Sequence, residues 1–360
     1  MKMALSLAAR GRGMTHPNPM VGAVVVKNGR IVGKGFHKGP GTPHAEAEAL
    51  RQAGHEARGS HLYVNLEPCN HQGMTPPCTE AIMRSGVKRV VYSVRDPNPR
   101  VEGGGGERLR DAGIRVEEGL MEKEAKELNA AYLKYVTTGR PLVTLKAAIT
   151  ADGKVATRSG ASKWISGEKA RIMAHRMRRE SDAVMVGRGT VAADDPQLTV
   201  RMVPLRGAKA PLRVIVDSTL SMDLNCRLAA GGNPKVVVAT TASHDRNKAR
   251  ELRKRGVEVM VLSENKGRVN LEELLIKLGE AGVAHLLVEG GPILTASFFG
   301  QGLADRLALF VAPKVFGDAE ARSWMEGRVV DDPSQSLKLE WKKVRRLGED
   351  LFLEADLRQR

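Results

Sequence analysis

Aromatic residues are scarce in this chain, with six Phe, four Tyr and three Trp among 360 residues. Its cores must therefore rely on Val, Leu, Ile, Ala and Met, and its basic stretches lack the interleaved rings on which single-stranded nucleic acids stack. Cysteine is equally sparse: three thiols cannot all pair, which argues against a disulfide framework and for a reducing compartment. No apolar run reaches membrane-spanning length. No run of five Lys or Arg occurs either, despite a formal charge of +16. The apolar stretch at residues 3–9 is short for a secretion signal, and Arg10 and Arg12 stand where a cleavage site would belong. Dinucleotide (GxGxxG) and Walker fingerprints are missing too. The run Gly103-Gly104-Gly105-Gly106 precedes no Lys-Ser/Thr pair and is expected to be a mobile connection. Internal repeats and low-complexity tracts are absent.

What remains is a chain with 42% hydrophobic residues, long enough for two domains. The positive charge admits a nucleic-acid reading. Arginines spread over helix faces, attracting phosphorylated metabolites, account for it more simply. The expectation is a soluble cytoplasmic enzyme with neither a nucleic-acid nor a membrane partner.

Hydropathy patterning predicts strands at 21–26 and 30–36, joined by the hairpin signal Lys27-Asn28-Gly29. A helix over 44–53, a strand over 61–66, a loop over 67–77, a helix over 79–85 and a strand over 89–93 follow. A loop over 96–106 and, after a further βα pair, a long helix over 121–137 complete this half. Thr138-Gly139-Arg140-Pro141 reads as a linker, because Gly stops a helix and Pro resists continuing one. Domains are thus expected at 1–139 and 142–360. The second has predicted strands at 142–148, 183–186, 213–217, 235–240, 257–262 and 285–289, with helices over 168–180 and 270–282. That rhythm implies a mostly parallel sheet covered by helices. From residue 305 onward the pattern is strands, expected to pair antiparallel at an edge.

The chemistry concentrates in His44-Ala45-Glu46, Pro68-Cys69 and Cys78. One imidazole and two thiolates favour zinc and leave a fourth position for water. An HxE followed by PCxxC is the pattern of zinc-dependent nucleobase deaminases; here a longer insert displaces the second cysteine. Taken singly, His44 is explained as a helix cap and each cysteine as a small buried hydrophobe; taken jointly they are a metal site. Helical spacing alone prefers Glu48 as the partner of His44, since positions four apart share a face, although a first turn just after Pro43 need not be regular. His71 is either a pocket residue or a fourth ligand, the latter implying a zinc-stabilised binding module. In the second half, Val186-Gly187-Arg188-Gly189-Thr190 and Val288-Glu289-Gly290-Gly291-Pro292 are glycine turns after strands. Such turns either approach phosphates or merely reverse the chain.

Five segments of the first half carry a resemblance: His16-Pro17-Asn18-Pro19-Met20-Val21-Gly22, His44-Ala45-Glu46, Leu66-Glu67-Pro68-Cys69-Asn70-His71, Thr75-Pro76-Pro77-Cys78 and Asp96-Pro97-Asn98-Pro99. In the second half, Leu145-Lys146-Ala147-Ala148, Asp152-Gly153, Ser162-Lys163-Trp164-Ile165, Ala193-Asp194-Asp195-Pro196-Gln197-Leu198-Thr199, Val216-Asp217-Ser218 and Glu289-Gly290-Gly291-Pro292 continue it in order. Together they resemble the bifunctional riboflavin-biosynthesis deaminase–reductases, with Met20 a small departure where that family more often has Asn.

The resemblance implies an α/β protein with a cytidine-deaminase-like three-layer N-terminal domain and a dihydrofolate-reductase-like C-terminal domain. It implies zinc on His44, Cys69 and Cys78, and it selects Glu46 as the catalytic carboxylate. NADPH contacts would come from Ala148, Trp164, Thr190, Asp194, Ser218, Gly291, Pro292, Ile293, Leu294, Thr295, Ala296 and Ser297. Substrate contacts would come from Ser162, Arg178, Leu198, Arg201 and Glu289. The implied reactions are hydrolytic removal of a ring amine from a diamino-phosphoribosylamino-pyrimidinone and reduction of its ribosyl group to a ribityl chain. The expected assembly is a homo-oligomer. A tRNA-type zinc deaminase is the rival reading, but it leaves the second motif set without a purpose. Cys226 has no assigned role and is expected to be structural.

Overall fold

Adjacent residues of one strand separate the layers of the N-terminal half. In a computed structural model, which describes residues 1–99, 104–327 and 330–357, the chain divides into Met1–Arg140 and Pro141–Arg360. The first unit holds strands β1 (Gly22–Lys27), β2 (Arg30–Phe36), β3 (His61–Val64), β4 (Arg89–Tyr92) and β5 (Arg115–Glu118), in the order β2-β1-β3-β4-β5. β1 runs antiparallel to β2 and β3, while β3, β4 and β5 are parallel. Its helices are α1 (Lys2–Ala8), α2 (Ala45–Ala53), α3 (Cys78–Ser85), α4 (Gly105–Asp111), α5 (Glu122–Leu128) and α6 (Ala130–Thr138).

On one face of the sheet Ala23 and Val25 pack with Ala49 of α2, Ile82 of α3 and Leu109 of α4. On the other, Val24 packs with Ala4 and Leu7 of α1. This is the three-layer arrangement that period-two alternation produces when both faces are covered. Two glycines let α2 lie close on β2: a Cβ at Gly33 or Gly35 would fall 2.1 Å from the Ala49 carbonyl oxygen or 2.3 Å from that of Ala45.

Two expectations for this unit are corrected. Of the glycine run, Gly103 lies outside the described residues, but Gly105 and Gly106 are buried at the start of α4 and are no mobile connection. A Cβ on Gly105 would sit 1.8 Å from the Pro68 carbonyl oxygen, and one on Gly106 would sit 2.7 Å from the Tyr92 hydroxyl, so the glycines serve close packing. The single helix over 121–137 is instead α5 and α6, interrupted at Asn129. The Asn129 amide bridges the Met20 backbone, accepting from its N–H at 2.8 Å and donating to its carbonyl at 3.0 Å.

The second unit introduces β6 (Leu142–Thr150), β7 (Lys154–Ala156), β8 (Ala183–Gly187), β9 (Leu212–Val216), β10 (Val236–Thr240), β11 (Glu258–Val261), β12 (Glu264–Asn265), β13 (Arg268–Val269), β14 (His285–Val288), β15 (Arg306–Ala312), β16 (Arg322–Ser323), β17 (Leu339–Leu347) and β18 (Asp350–Leu357). Nine of these form one sheet, ordered β11-β10-β9-β8-β14-β6-β15-β18-β17. Helices α7 (Glu168–Arg179), α8 (Arg188–Asp194), α9 (Arg246–Lys254), α10 (Leu271–Glu280) and α11 (Pro292–Gly300) connect the strands.

Pairing is parallel from β11 through β15 and antiparallel only where β18 and β17 are added. The expectation of edge pairing from residue 305 onward therefore holds for the final hairpin but not for β15, which lies beside β6 inside the sheet. Burial explains its place: Leu307 and Leu309 enter the core on one face, Ala308 and Phe310 on the other. Strands leave β8 in one direction and return as β14 on its other side, so the chain switches direction there. Ligands of open α/β sheets gather at such a switch, beyond the carboxyl ends of the strands. No described helix is long and apolar enough to cross a membrane.

Candidate active sites

His44 ends the loop before α2 with extended backbone (φ −69, ψ 159), and its side chain makes no capping bond. Because it lies outside the helix, the four-residue spacing rule does not reach Glu48, which turns outward to Arg51 at 2.9 Å and Lys38 at 3.4 Å. Glu46, in the first turn, is 3% exposed. His44 Nδ1 stands 3.2 Å from Cys78 Sγ and 3.4 Å from Cys69 Sγ. The three potential ligand atoms all lie within 4.8 Å of one another, close enough to share one ion. This nitrogen-and-sulfur donor set suits zinc. The group does not include His71, whose buried Nδ1 has no hydrogen-bond partner among the described residues.

The elements that place these ligands are local and specific. Cys78 is the first residue of α3, and its N–H points at Cys69 Sγ at 3.4 Å. Cys69 sits in the loop after β3, held there by the buried carboxylate of Glu67, which accepts from Gly106 N at 2.8 Å and Asp96 N at 3.2 Å. The Cys69 thiol is drawn into the thiolate range by the Cys78 thiol and by His44, while Cys78 is pushed up by its bond to Cys69 and by burial. The bond to Cys69 raises His44. Burial, then the charge on Cys69, pushes Glu46 up to about 7. A carboxyl that titrates near neutrality both takes and gives protons.

The second unit contains a cavity of about 1200 Å³. Ala148, Ser162, Trp164, Arg178, Thr190, Asp194, Leu198, Arg201, Ser218 and Glu289 line it, with Gly291, Pro292, Ile293, Leu294, Thr295 and Ser297. Ala296, expected with this group, is not in the lining and is buried at 7% exposure; on α11 its side chain packs inward. Gly291 caps α11 without a side-chain bond, leaving the first amides of the helix available to an anion. Ser162 Oγ donates to Asp194 Oδ1 at 2.8 Å, and Thr190 Oγ1 donates to the Gly290 carbonyl at 3.3 Å. Leu198 lines the wall while belonging to the core cluster beneath it.

The buried carboxylate of Glu289 is paired inside the cavity. Arg178 Nη2 donates to Glu289 Oε2 at 2.8 Å, Nε donates to Oε1, and Nη1 donates to the Thr199 carbonyl at 3.0 Å. Burial by itself would raise Glu289, but Arg178 and Lys146 hold it down at about 2. Lys146, which the sequence reading left out of the site, lines the cavity with Nζ 4.0 Å from Glu289 Oε2 and 5.6 Å from the Phe310 ring centroid. Burial lowers its pKa against the pull of Glu289. A signal for it existed: Lys146 is the one charged residue in the strand sequence LVTLKAAIT. Arg201 has no carboxylate partner among the described residues; its Nη1 reaches Gln197 Oε1 at 2.5 Å, and its backbone N–H donates to His175 Nδ1 at 3.0 Å.

The sequence pattern of the RibD C-terminal domain matches residues 141–353, and that of the cytidine and deoxycytidylate deaminase zinc-binding region matches residues 1–94. The riboflavin biosynthesis protein RibD of Aquifex aeolicus is 49% identical over 353 residues, spanning 98% of this chain and 96% of that protein. The chain belongs to the RibD family. Among solved structures, RibD of Acinetobacter baumannii matches with a TM-score of 0.89 at 39% identity, over 99% of this chain and 98% of that one. A diaminohydroxyphosphoribosylaminopyrimidine deaminase/5-amino-6-(5-phosphoribosylamino)uracil reductase from Thermotoga maritima matches with a TM-score of 0.86 at 39% identity, covering 99% and 97%.

As a RibD protein, the chain is a bifunctional enzyme of riboflavin biosynthesis that acts on small molecules. Its N-terminal unit is a cytidine-deaminase-like zinc domain and its C-terminal unit a dihydrofolate-reductase-like, NADPH-dependent domain. Both cofactors fit residues that are present: nitrogen and sulfur donors for zinc, and a cavity of about 1200 Å³ with an open helix start for a dinucleotide.

Proposed function

We propose that the N-terminal site removes a ring amine from 2,5-diamino-6-(phosphoribosylamino)pyrimidin-4-one and that the C-terminal site reduces the ribosyl group of the product. The observation that carries this reading is the buried Glu46 beside a His-Cys-Cys donor set, in a chain with a separate reductase cavity. Zinc held by His44, Cys69 and Cys78 would supply a water made acidic near neutral pH. Glu46 takes one proton from the attacking water and delivers it to the ring nitrogen, then carries the remaining hydroxyl proton to the leaving amine. The new C–O bond replaces the C–N bond, and ammonia departs.

In the second site bound NADPH would supply the hydride. With it, a C–H bond would form at the ribose anomeric carbon while the bond from that carbon to the ring oxygen would break, and the ring oxygen would gain a proton. Lys146 is the proton donor we assign, because burial makes its ammonium give up a proton more readily. Arg178 is committed to Glu289 and positions that carboxylate against the sugar. Arg201, which pairs with no carboxylate among the described residues, offers the fork for the ribose phosphate. Ser162 and Leu198 complete the substrate wall. Ala148, Trp164, Thr190, Asp194, Ser218 and residues 291–297 bear on the cofactor, Ala296 only through its backbone.

The same reading carries a cytoplasmic enzyme that needs no nucleic-acid partner and assembles as a homo-oligomer. Unpaired Cys69, Cys78 and Cys226 support the first point. Trp341 and Val344, exposed on the edge strand β17, support the last. Paired variants test the division of labour. Glu46→Gln is expected to abolish ammonia release and leave the reduction of added deaminated substrate intact. Arg201→Ala is expected to raise the reductase KM about ten- to a hundred-fold without affecting deamination. Damage to both steps by either variant would refute the separation.

A further inference from the structure

The stretch between Cys69 and Cys78 is longer than the two residues that part the cysteines of a PCxxC pattern, and the ligand role explains only its two ends. Its last part is Thr75-Pro76-Pro77-Cys78. Consecutive prolines fix their own φ and hold the residues before them extended; Pro77 has φ −56 and ψ 135, and Cys78 then opens α3. On the other side Thr75 closes a tight turn, its carbonyl accepting from Gly73 N–H at 3.2 Å. Stiff backbone therefore keeps Thr75 and Cys78 at a set spacing.

The two ends of this run grip one imidazole. Cys78 Sγ lies 3.2 Å from His44 Nδ1, and Thr75 Oγ1 lies 3.2 Å from His44 Nε2. Cys69 Sγ approaches the same Nδ1 at 3.4 Å. A neutral imidazole carries its proton on one nitrogen and has a lone pair to offer a metal only on the other. Nδ1 faces both thiols and is the ligand atom, so Nε2 keeps the proton and donates it to Thr75 Oγ1. Among the described residues no other hydrogen bond reaches Nε2. The His37 ring stands edge-on to that of His44, with centroids 5.5 Å apart. It packs against the ring, while its own nitrogens turn to Asn18 and to the Pro43 carbonyl.

We propose that Thr75 is the positioning residue of the zinc histidine. Its hydroxyl accepts from His44 Nε2–H, fixes the tautomer that frees Nδ1 for the metal, and so raises the zinc affinity of the deaminase site. The inference rests on the reading of His44, Cys69 and Cys78 as zinc ligands. An outer partner of this kind holds the ring's orientation and makes the ligating nitrogen more basic. The proposal also gives the long insert a purpose. Thr75 stands three residues before Cys78; in a CxxC spacing that position is the first cysteine itself, so only a longer insert places a hydroxyl there.

Zinc affinity of the purified full chain, measured by competition with a chromophoric chelator, tests the assignment without turnover. Thr75→Val keeps the branched shape and removes the acceptor; its zinc Kd is expected to rise about ten- to a hundred-fold. Thr75→Ser retains the hydroxyl and is expected to stay within about three-fold of the parent. Denaturation midpoints of the zinc-free chains should agree, because the hydroxyl acts on the metal site and not on the fold. In the zinc-loaded parent, nitrogen NMR with isotope-labelled histidine should show His44 bound to metal through Nδ1, with a slowly exchanging proton on Nε2. Unchanged zinc affinity in Thr75→Val would overturn the proposal and leave the zinc ligands standing. So would a serine variant as weak as the valine one, a fall in the midpoint of the zinc-free valine chain, or metal on Nε2 in the parent, which needs no variant to detect. A parent chain that binds no zinc would overturn both the proposal and the zinc reading.

Discussion

Glu289 is held by Arg178 through two parallel N–H···O contacts, with Nη2 to Oε2 at 2.8 Å, inside the reductase cavity. Side-chain exposure is 13% for the arginine and 9% for the glutamate. A pair this buried is costly to break from one side, because the partner left behind keeps its charge without water. Arg178→Ala is therefore expected to destabilise the reductase unit by about 3–5 kcal/mol and to remove reductase activity. Zinc content should not change. Chemical denaturation followed alongside metal analysis checks both halves of that expectation.

The metal site gives a second expectation. Cys69→Ser replaces the thiol that carries the negative charge of the cysteine pair with a hydroxyl that does not ionise near neutrality. Zinc per chain should fall well below that of the parent, and ammonia release should fall with it, as measured by plasma emission and a coupled assay. Reduction of added deaminated substrate should persist.

His175 supplies a pH dependence with a definite sign. Its Nδ1 accepts from the Arg201 amide at 3.0 Å, which requires the neutral ring. Burial, then the charges of Arg178 and Arg201, lowers its pKa from 6.5 to about 4. Between those values the unfolded chain binds a proton that the folded chain refuses. The stabilisation is thus complete above pH 6.5 and is lost as pH falls towards 4. Denaturation midpoints across that window should decline, and His175→Gln should flatten the decline. An unchanged slope in the variant would remove His175 as its source.

The residue types of the deaminase site were legible in the sequence, but the choice of carboxylate was not. Helical spacing favours Glu48 only if His44 belongs to the helix, and its extended backbone places it one step outside. Similar local events account for other differences. Asn129 breaks a periodic helical stretch because its side chain is engaged by Met20, 109 residues away in sequence. Gly105 and Gly106 looked like a flexible run because a sequence does not show that Pro68 and Tyr92 press against them. Lys146 passed as part of a strand; its significance depends on Glu289, which only the parallel sheet brings near.

The most direct test of the account is product analysis by mass spectrometry after the zinc-loaded chain meets the diaminopyrimidine phosphate, with and without NADPH. Without NADPH, a product in which one ring amine has been exchanged for oxygen is expected, with ammonia released. With NADPH, the same molecule should gain two hydrogens on its sugar while an equal amount of NADP⁺ forms. Consumption of NADPH with the ring amine retained, or no change in the substrate under either condition, would contradict the account.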